Sequence, residues 1–302
     1  MNYILVSGKK GQLGSELKDI ASEDKHQFIF TDRDDLDIAN EDILKEAFEK
    51  YKPAFFINCA AYTAVDKAET DQATAYKINA EAVGNIAKQC HQYNTRLIHI
   101  STDYVFDGKG TQPYKTDDKT DPVNYYGYTK LTGEQLALNN SPQTIVIRTS
   151  WVYSAYGANF VKTMLRLMKE RRELNVVSDQ FGSPTYAKDL AEAIIQIVSN
   201  ERPSVSGRKT EEDAHSSQLT AHGFPGIYHF SNEGDISWYD FAVAIRDIKQ
   251  LDCAVNPIPT SAYPTPAKRP AYSVFDKTKI VNTFNIQLKD WKDSLKECLS
   301  KL

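Results

Sequence analysis

Near its start the chain reads Tyr3-Ile4-Leu5-Val6-Ser7-Gly8-Lys9-Lys10-Gly11-Gln12-Leu13-Gly14. A short aliphatic run is followed by three glycines at a GxxGxxG spacing, and a segment of helical character begins near Ser15. Glycine at such points permits a tight turn, lets the backbone approach a pyrophosphate, and packs a helix closely on a strand. Free N–H groups at the helix start would attract the phosphate charge. The spacing alone does not separate a phosphate cradle from an ordinary glycine loop. Its place between strand and helix favours the cradle.

Outward from this turn, β-branched and aliphatic runs recur at 27–31, 55–58, 97–101 and 144–148, after the first at 3–7. Longer amphipathic stretches such as 14–20, 40–51 and 73–93 separate them. That alternation predicts an α/β fold of the Rossmann type, a doubly wound parallel sheet with ligands at the carboxyl edge of its strands. After Trp151 the regularity loosens, with helical stretches at 159–172, 186–198 and 237–248 and a strand at 226–230. The expectation is a dinucleotide-binding domain over 1–150. A smaller, mainly substrate-binding lobe then spans 151–302, with some segments returning to the first core. Residues 200–225, rich in Ser, Gly, Pro and charge, read as a mobile surface loop. Trp291, Leu295, Cys298, Leu299 and Leu302 recur at helical spacing and predict a docked C-terminal helix.

At 302 residues, with 41% apolar and 25% charged residues, the chain has enough material for a buried cleft. A net charge of −4 with dispersed lysines and arginines gives no electrostatic footprint for nucleic acid. The first residues read as a strand rather than a signal peptide, and no stretch approaches a membrane span of about 20 apolar residues. A cytoplasmic location without membrane partners is the expectation. Cys59, Cys90, Cys253 and Cys298 are scattered, and the six histidines do not cluster at ligand spacing, so no metal is expected. His99 lies in an apolar run and reads as a core imidazole.

Of 17 tyrosines only Tyr126 has a lysine four residues on, Lys130. Residues so spaced share a helix face, so an ammonium beside the phenol would lower its pKa from about 10 towards the range useful for proton transfer. Just after the fourth strand run come Ser101 and Thr102, where a hydroxyl can polarise a carbonyl or simply cap a turn. Thr102, Tyr126 and Lys130 are therefore the candidate catalytic residues. The second strand ends at Asp32-Arg33, about 20 residues beyond the glycines. Asp32 suits a ribose hydroxyl and hence NAD, whereas Arg33 suits the 2′-phosphate of NADP, so NADPH and NADH both stay open.

Taken in order, the glycine turn Gly8–Gly14, Asn58 to Glu69, Ser101 to Asp107, Tyr126 to Lys130, Arg148 to Tyr153, Asp179 to Thr185 and Arg269-Pro270 resemble the extended short-chain dehydrogenase/reductase family. The likeness runs almost end to end. Within that family it is to the enzymes that reduce the C4 ketone of dTDP-linked 4-keto-6-deoxyhexoses, dTDP-L-rhamnose being the implied product. The resemblance implies that Gly8, Gly11, Gln12, Leu13, Gly14, Asp32, Arg33, Asp37, Ile38, Ala60, Ala61, Thr63, Tyr126 and Lys130 meet the dinucleotide. It implies that Val65, Thr102, Asp103, Tyr104 and Trp151 meet the nucleotide sugar, with Arg269 at its phosphates, and that a homodimer can form. A dehydratase sibling would carry further acidic residues after Thr102, whereas here Asp103 is followed by Tyr104. Another nucleotide-sugar reductase or epimerase is the sibling alternative. A non-catalytic relative, the regulatory subunit of methionine adenosyltransferase, is the alternative from another class, and the intact Thr102, Tyr126 and Lys130 speak against it.

Overall fold

The structure, a computed structural model, describes residues 3–21, 26–200 and 224–302. In chain order its elements begin with β1 (Tyr3–Ser7), α1 (Gln12–Ile20), β2 (Gln27–Thr31), α2 (Glu41–Tyr51), β3 (Phe55–Asn58), α3 (Val65–Ala68), α4 (Gln72–Tyr76), α5 (Ala82–Gln92), β4 (Arg96–Thr102) and α6 (Tyr125–Asn140). They continue through β5 (Ile145–Thr149), β6 (Val152–Tyr153), α7 (Phe160–Glu170), β7 (Glu173–Val177), β8 (Phe181–Gly182), β9 (Thr185–Tyr186) and α8 (Ala187–Asn200). After the expected loop at 200–225, most of which (201–223) lies outside the described residues, come β10 (Gly226–Phe230), β11 (Ile236–Ser237), α9 (Trp238–Ile248), β12 (Ala254–Ile258), α10 (Thr278–Phe284) and α11 (Trp291–Ser300).

Strand β1 meets water on neither face. Ile4 and Val6 point into one apolar layer and Leu5 into another, all three fully buried. Burial on both faces is why parallel strands read as unbroken apolar runs rather than alternating ones. Among the described residues six parallel strands form the main sheet in the order β10-β5-β4-β3-β1-β2. One face carries α1, α8 and α10 through Leu13, Leu17, Leu190, Ile194, Ile280 and Phe284. The other carries α2, α5 and α6 through Leu44, Phe48, Val83, Ile86 and Ala137. The fold is the expected doubly wound α/β sheet. Its strand order winds outward in opposite directions from β1 and β3, and such a switch point opens a crevice at the carboxyl edge.

Strand β10 and helices α8 and α10 come from beyond Trp151 yet complete this sheet and its core. A separate apolar cluster joins Val161 and Leu165 of α7, Leu174 and Val176 of β7, Phe241 and Ile245 of α9, and Leu295 and Leu299 of α11. The short pairs β6–β9, β8–β11 and β7–β12 around it carry too little alternation to be read from sequence. The stretch 73–93, read as one helix, holds a π-helical turn at Lys77–Glu81 between α4 and α5. Asn79 of that turn exchanges two hydrogen bonds with the Tyr62 backbone and donates to Thr129 of α6.

Candidate active site

A cavity of about 870 Å³ opens along the carboxyl ends of β1, β3, β4 and β5. The glycine turn forms one end. Gly8 has φ +80°, and a Cβ there would lie 2.9 Å from Ala60 N and from the Cys59 carbonyl carbon, so only glycine lets the turn press against the end of β3. Gly11 caps α1 with extended backbone and no side-chain bond to the helix N–H groups. This nine-residue helix therefore presents free donors to the cavity. Gly14 sits behind the wall, where a Cβ would be 2.1 Å from the Gly8 oxygen. Its glycine serves close packing of turn and helix.

At the tip of β2, Asp32 and Arg33 both line the cavity. Lys10 reaches Asp32 at 3.1 Å, while Arg33 is 84% exposed and only 3.9 Å at its nearest from Asp37. Asp37, Ile38, Ala60, Ala61 and Thr63 continue the lining, as do Gln12 and Leu13. The Gln12 side chain donates to the Val152 carbonyl and accepts from Asn159, tying α1 to the segment after β5.

The chemical end is built by β4 and α6. Asn124 caps α6 by accepting from Gly127 N at 2.8 Å, which starts the helix so that Tyr126 faces the end of β4. Gly127 permits the approach, because a Cβ there would lie 2.2 Å from the Tyr104 oxygen. The Thr102 hydroxyl accepts from Tyr104 N at 3.2 Å and donates to Asp103 Oδ1 at 2.9 Å, and it lines the same cavity as the Tyr126 phenol. Capping and site roles thus coincide at one hydroxyl. Val65, Asp103, Tyr104 and Trp151 complete this end, and Trp151, in the left-handed region at φ +48°, stacks on Trp238 at 3.5 Å. Burial pushes the Asp103 carboxyl up to about 6, against the neighbouring Ser273 and Thr102 hydroxyls, which lower it.

Lys130 departs from the reading based on helix spacing. It shares the face of Tyr126, but its Nζ donates to the Ile100 carbonyl at 2.6 Å and faces His99 Nε2 at 3.4 Å. Burial raises the Tyr126 phenol above its ordinary value, with the Thr102 hydroxyl as the opposing influence. Burial also pushes the Lys130 amine down to about 8, and the Glu134 carboxylate pulls it the other way. The expected lowering of the phenol by a neighbouring ammonium is therefore absent from this arrangement, because the flexible lysine stem carries its amine on to β4.

Arg269 lies outside the cavity lining. Its guanidinium binds Asp66 at 2.8 Å and sits 6.0 Å over the ring of Tyr104, itself a lining residue. Sequence reasoning missed Ser7, Thr149 and Gly157 in the lining, and His99, Glu134 and Trp238 behind it. His99 and Ser101 carried a faint signal as polar residues inside the apolar run of β4. Trp238 carried none, being brought in by the second cluster.

A crevice at a sheet switch point, walled by a glycine turn and closed by threonine, tyrosine and lysine from β4 and α6, is the architecture of dinucleotide-dependent short-chain oxidoreductases. The model of the RmlD substrate binding domain family matches residues 1–302, and the chain belongs to that family. It is 42% identical to the dTDP-4-dehydrorhamnose reductase of Aggregatibacter actinomycetemcomitans, covering 98% of each chain. The crystal structure of a dTDP-4-dehydrorhamnose reductase from Clostridium acetobutylicum superposes with a TM-score of 0.88 at 38% identity, covering 99% of this chain and 98% of that one. One from Bacillus anthracis, solved in complex with NADP, gives 0.87 at 34% identity with both chains fully covered.

Proposed function

We propose that the protein reduces the C4 ketone of dTDP-4-dehydro-L-rhamnose to dTDP-L-rhamnose with NADPH or NADH, a step in making nucleotide sugars for cell-surface polysaccharide. The observation that carries this reading is the meeting of the Thr102 hydroxyl and the Tyr126 phenol in the same cavity as the Gly8–Gly11 cradle. It is supported by the family and by full-length relatives named for that reaction. The bare helix start at Gly11 and the backbone press at Gly8 fit a pyrophosphate. When bound, the dinucleotide supplies the hydride.

The residues of the chain do the rest. Thr102 holds and polarises the C4 oxygen, and Tyr126 Oη gives it a proton as the carbonyl is reduced. The phenol, which burial raises further above its ordinary value, is protonated at neutral pH, the form a donor needs. Lys130, as an ammonium, donates to the nicotinamide ribose hydroxyls, while the phenol keeps the raised pKa that burial gives it. Asp32, Arg33, Asp37 and Ile38 take the adenosine end, with Gln12, Leu13, Ala60, Ala61 and Thr63 along the middle. Val65, Asp103, Tyr104 and Trp151 take the sugar nucleotide. Arg269, poised beside Tyr104 on a partly exposed ion pair, takes its phosphates.

We also propose that residues 151–302 supply most of the sugar-nucleotide contacts, that the enzyme works in the cytoplasm as a homodimer, and that it takes no nucleic acid partner, as its net negative charge favours. Among the described residues no helix is long and apolar enough to cross a membrane. The test is oxidation of NADPH and of NADH on addition of dTDP-4-dehydrorhamnose, with nuclear magnetic resonance of the product. Tyr126→Phe should abolish turnover while sparing dinucleotide binding. Failure of the wild-type chain to oxidise either cofactor refutes the proposal.

A further inference from the structure

Behind the cavity a row of buried polar side chains crosses the sheet. Ser7, Asn58 and His99 are register partners on β1, β3 and β4, and Lys130 of α6 closes the row. Ser7 Oγ donates to Asn58 Oδ1 at 2.8 Å, Asn58 Nδ2 lies 3.2 Å from His99 Nδ1, and His99 Nε2 lies 3.4 Å from Lys130 Nζ. None of the four is more than 2% exposed, so each must be satisfied by its neighbours.

The donors and acceptors of this row fix a proton. With its oxygen committed to Ser7, the Asn58 carboxamide turns its N–H to His99 Nδ1, making that nitrogen an acceptor. His99 is held neutral by burial and by the nearby Lys130 charge, so it carries one ring proton, on Nε2. That N–H points at the lysine amine. It opposes an ammonium, which has only donors, and can donate to the lone pair of a neutral amine. The bond from Lys130 to the Ile100 carbonyl is available in either state.

Resting on the reading of Tyr126 and Lys130 given above, we propose that His99 is a positioning residue: Ser7 and Asn58 hold it as the Nε2–H tautomer, and it fixes the Lys130 amine and biases it towards the neutral form, setting the alkaline limit of catalysis. Burial of Lys130 acts in the same direction. Glu134, one turn along α6, acts against it, and that carboxylate is itself tied to Arg148 of β5 and Ser101 of β4. Tyr126 is the other titratable group on that helix face. The row begins at Ser7, which lines the dinucleotide end of the cavity, so cofactor site and lysine are joined through the sheet.

The test uses the full chain with ¹⁵N-labelled imidazoles and no cofactor, the His99 signals being assigned by their loss in His99→Gln. His99 should appear as the Nε2–H tautomer, and its Nε2 shift should follow a titration near pH 8 that disappears in Lys130→Met. Asn58→Ala should admit the Nδ1–H tautomer. In turnover, His99→Gln, which offers the amine a carbonyl oxygen, should move the alkaline limb of kcat up by about 0.7 pH unit, roughly a fivefold rise in proton affinity. An Nδ1–H tautomer in the wild type, no titration shared with Lys130, or an unmoved limb in His99→Gln overturns the proposal. A chain that shows the shared titration but reduces no keto-sugar refutes the functional reading alone.

Discussion

Gly127→Ala is a sharp test of how α6 meets β4. At an exposed position in a helix this change stabilises by about 1 kcal/mol, because alanine is the better helix former. Here the added Cβ would lie 2.2 Å from the Tyr104 oxygen and 3.1 Å from Pro122 Cβ, where ordinary contact begins at 3.4 Å. Backbone has to part by about 1.2 Å against a carbonyl that cannot rotate away as a side-chain tip would. Overpacking of this kind costs about 1–3 kcal/mol, which outweighs the propensity gain. The movement falls between Thr102 and Tyr126, and a displacement of about 1 Å in a catalytic pair lowers turnover on the order of 100-fold. The expected variant is less stable in urea, binds NADPH nearly as well as the wild type through the distant glycine turn, and loses kcat for ketone reduction by about two orders of magnitude. Wild-type kcat together with raised stability would show that α6 and the Thr102 turn do not touch as described.

Removing Arg33 should raise the KM for NADPH on the order of tenfold and leave that for NADH nearly unchanged, measured by steady-state oxidation of each; equal effects would take Arg33 away from the 2′-phosphate. Glu134→Gln leaves Arg148 charged and 2% exposed without its carboxylate, so urea unfolding should show a loss of about 3 kcal/mol. Burial, helped by Arg148, holds His229 at about 3, below the 6.5 of an unfolded histidine. The stability it contributes is complete above pH 6.5 and is lost as pH falls towards 3. Asp103, raised from 3.8 to about 6, works the opposite way, its protonation relieving burial as pH falls through 6. The urea midpoint of His229→Asn should therefore fall less between pH 7 and pH 5 than that of the wild type, and identical slopes would remove His229 from the account.

Much of this protein is legible in its residues because local rules act there. The runs at 3–7 and 55–58 are buried on both faces, so their apolar character survives any detail of packing. Three glycines between strand and helix have one common steric use, and i,i+4 spacing places Tyr126 and Lys130 on one face of α6. Eighteen of the twenty positions assigned from the sequence line a single cavity; Gly14 packs behind it and Arg269 stands beside it.

What the sequence by itself determined is the sheet's strands, the glycine turn and the candidate groups that line the cavity, since each follows from contacts within a few residues. Where the charges point was decided only by tertiary structure. Lys130 turns to Ile100 and His99 because β4 offers a carbonyl and a ring nitrogen in a buried space, and Trp151 gains Trp238 because α9 packs on the second core. Such partners are far apart in sequence and leave no periodicity. Desolvation, which raises Tyr126 and lowers Lys130, depends on the sum of all neighbours and exists only once the chain has folded.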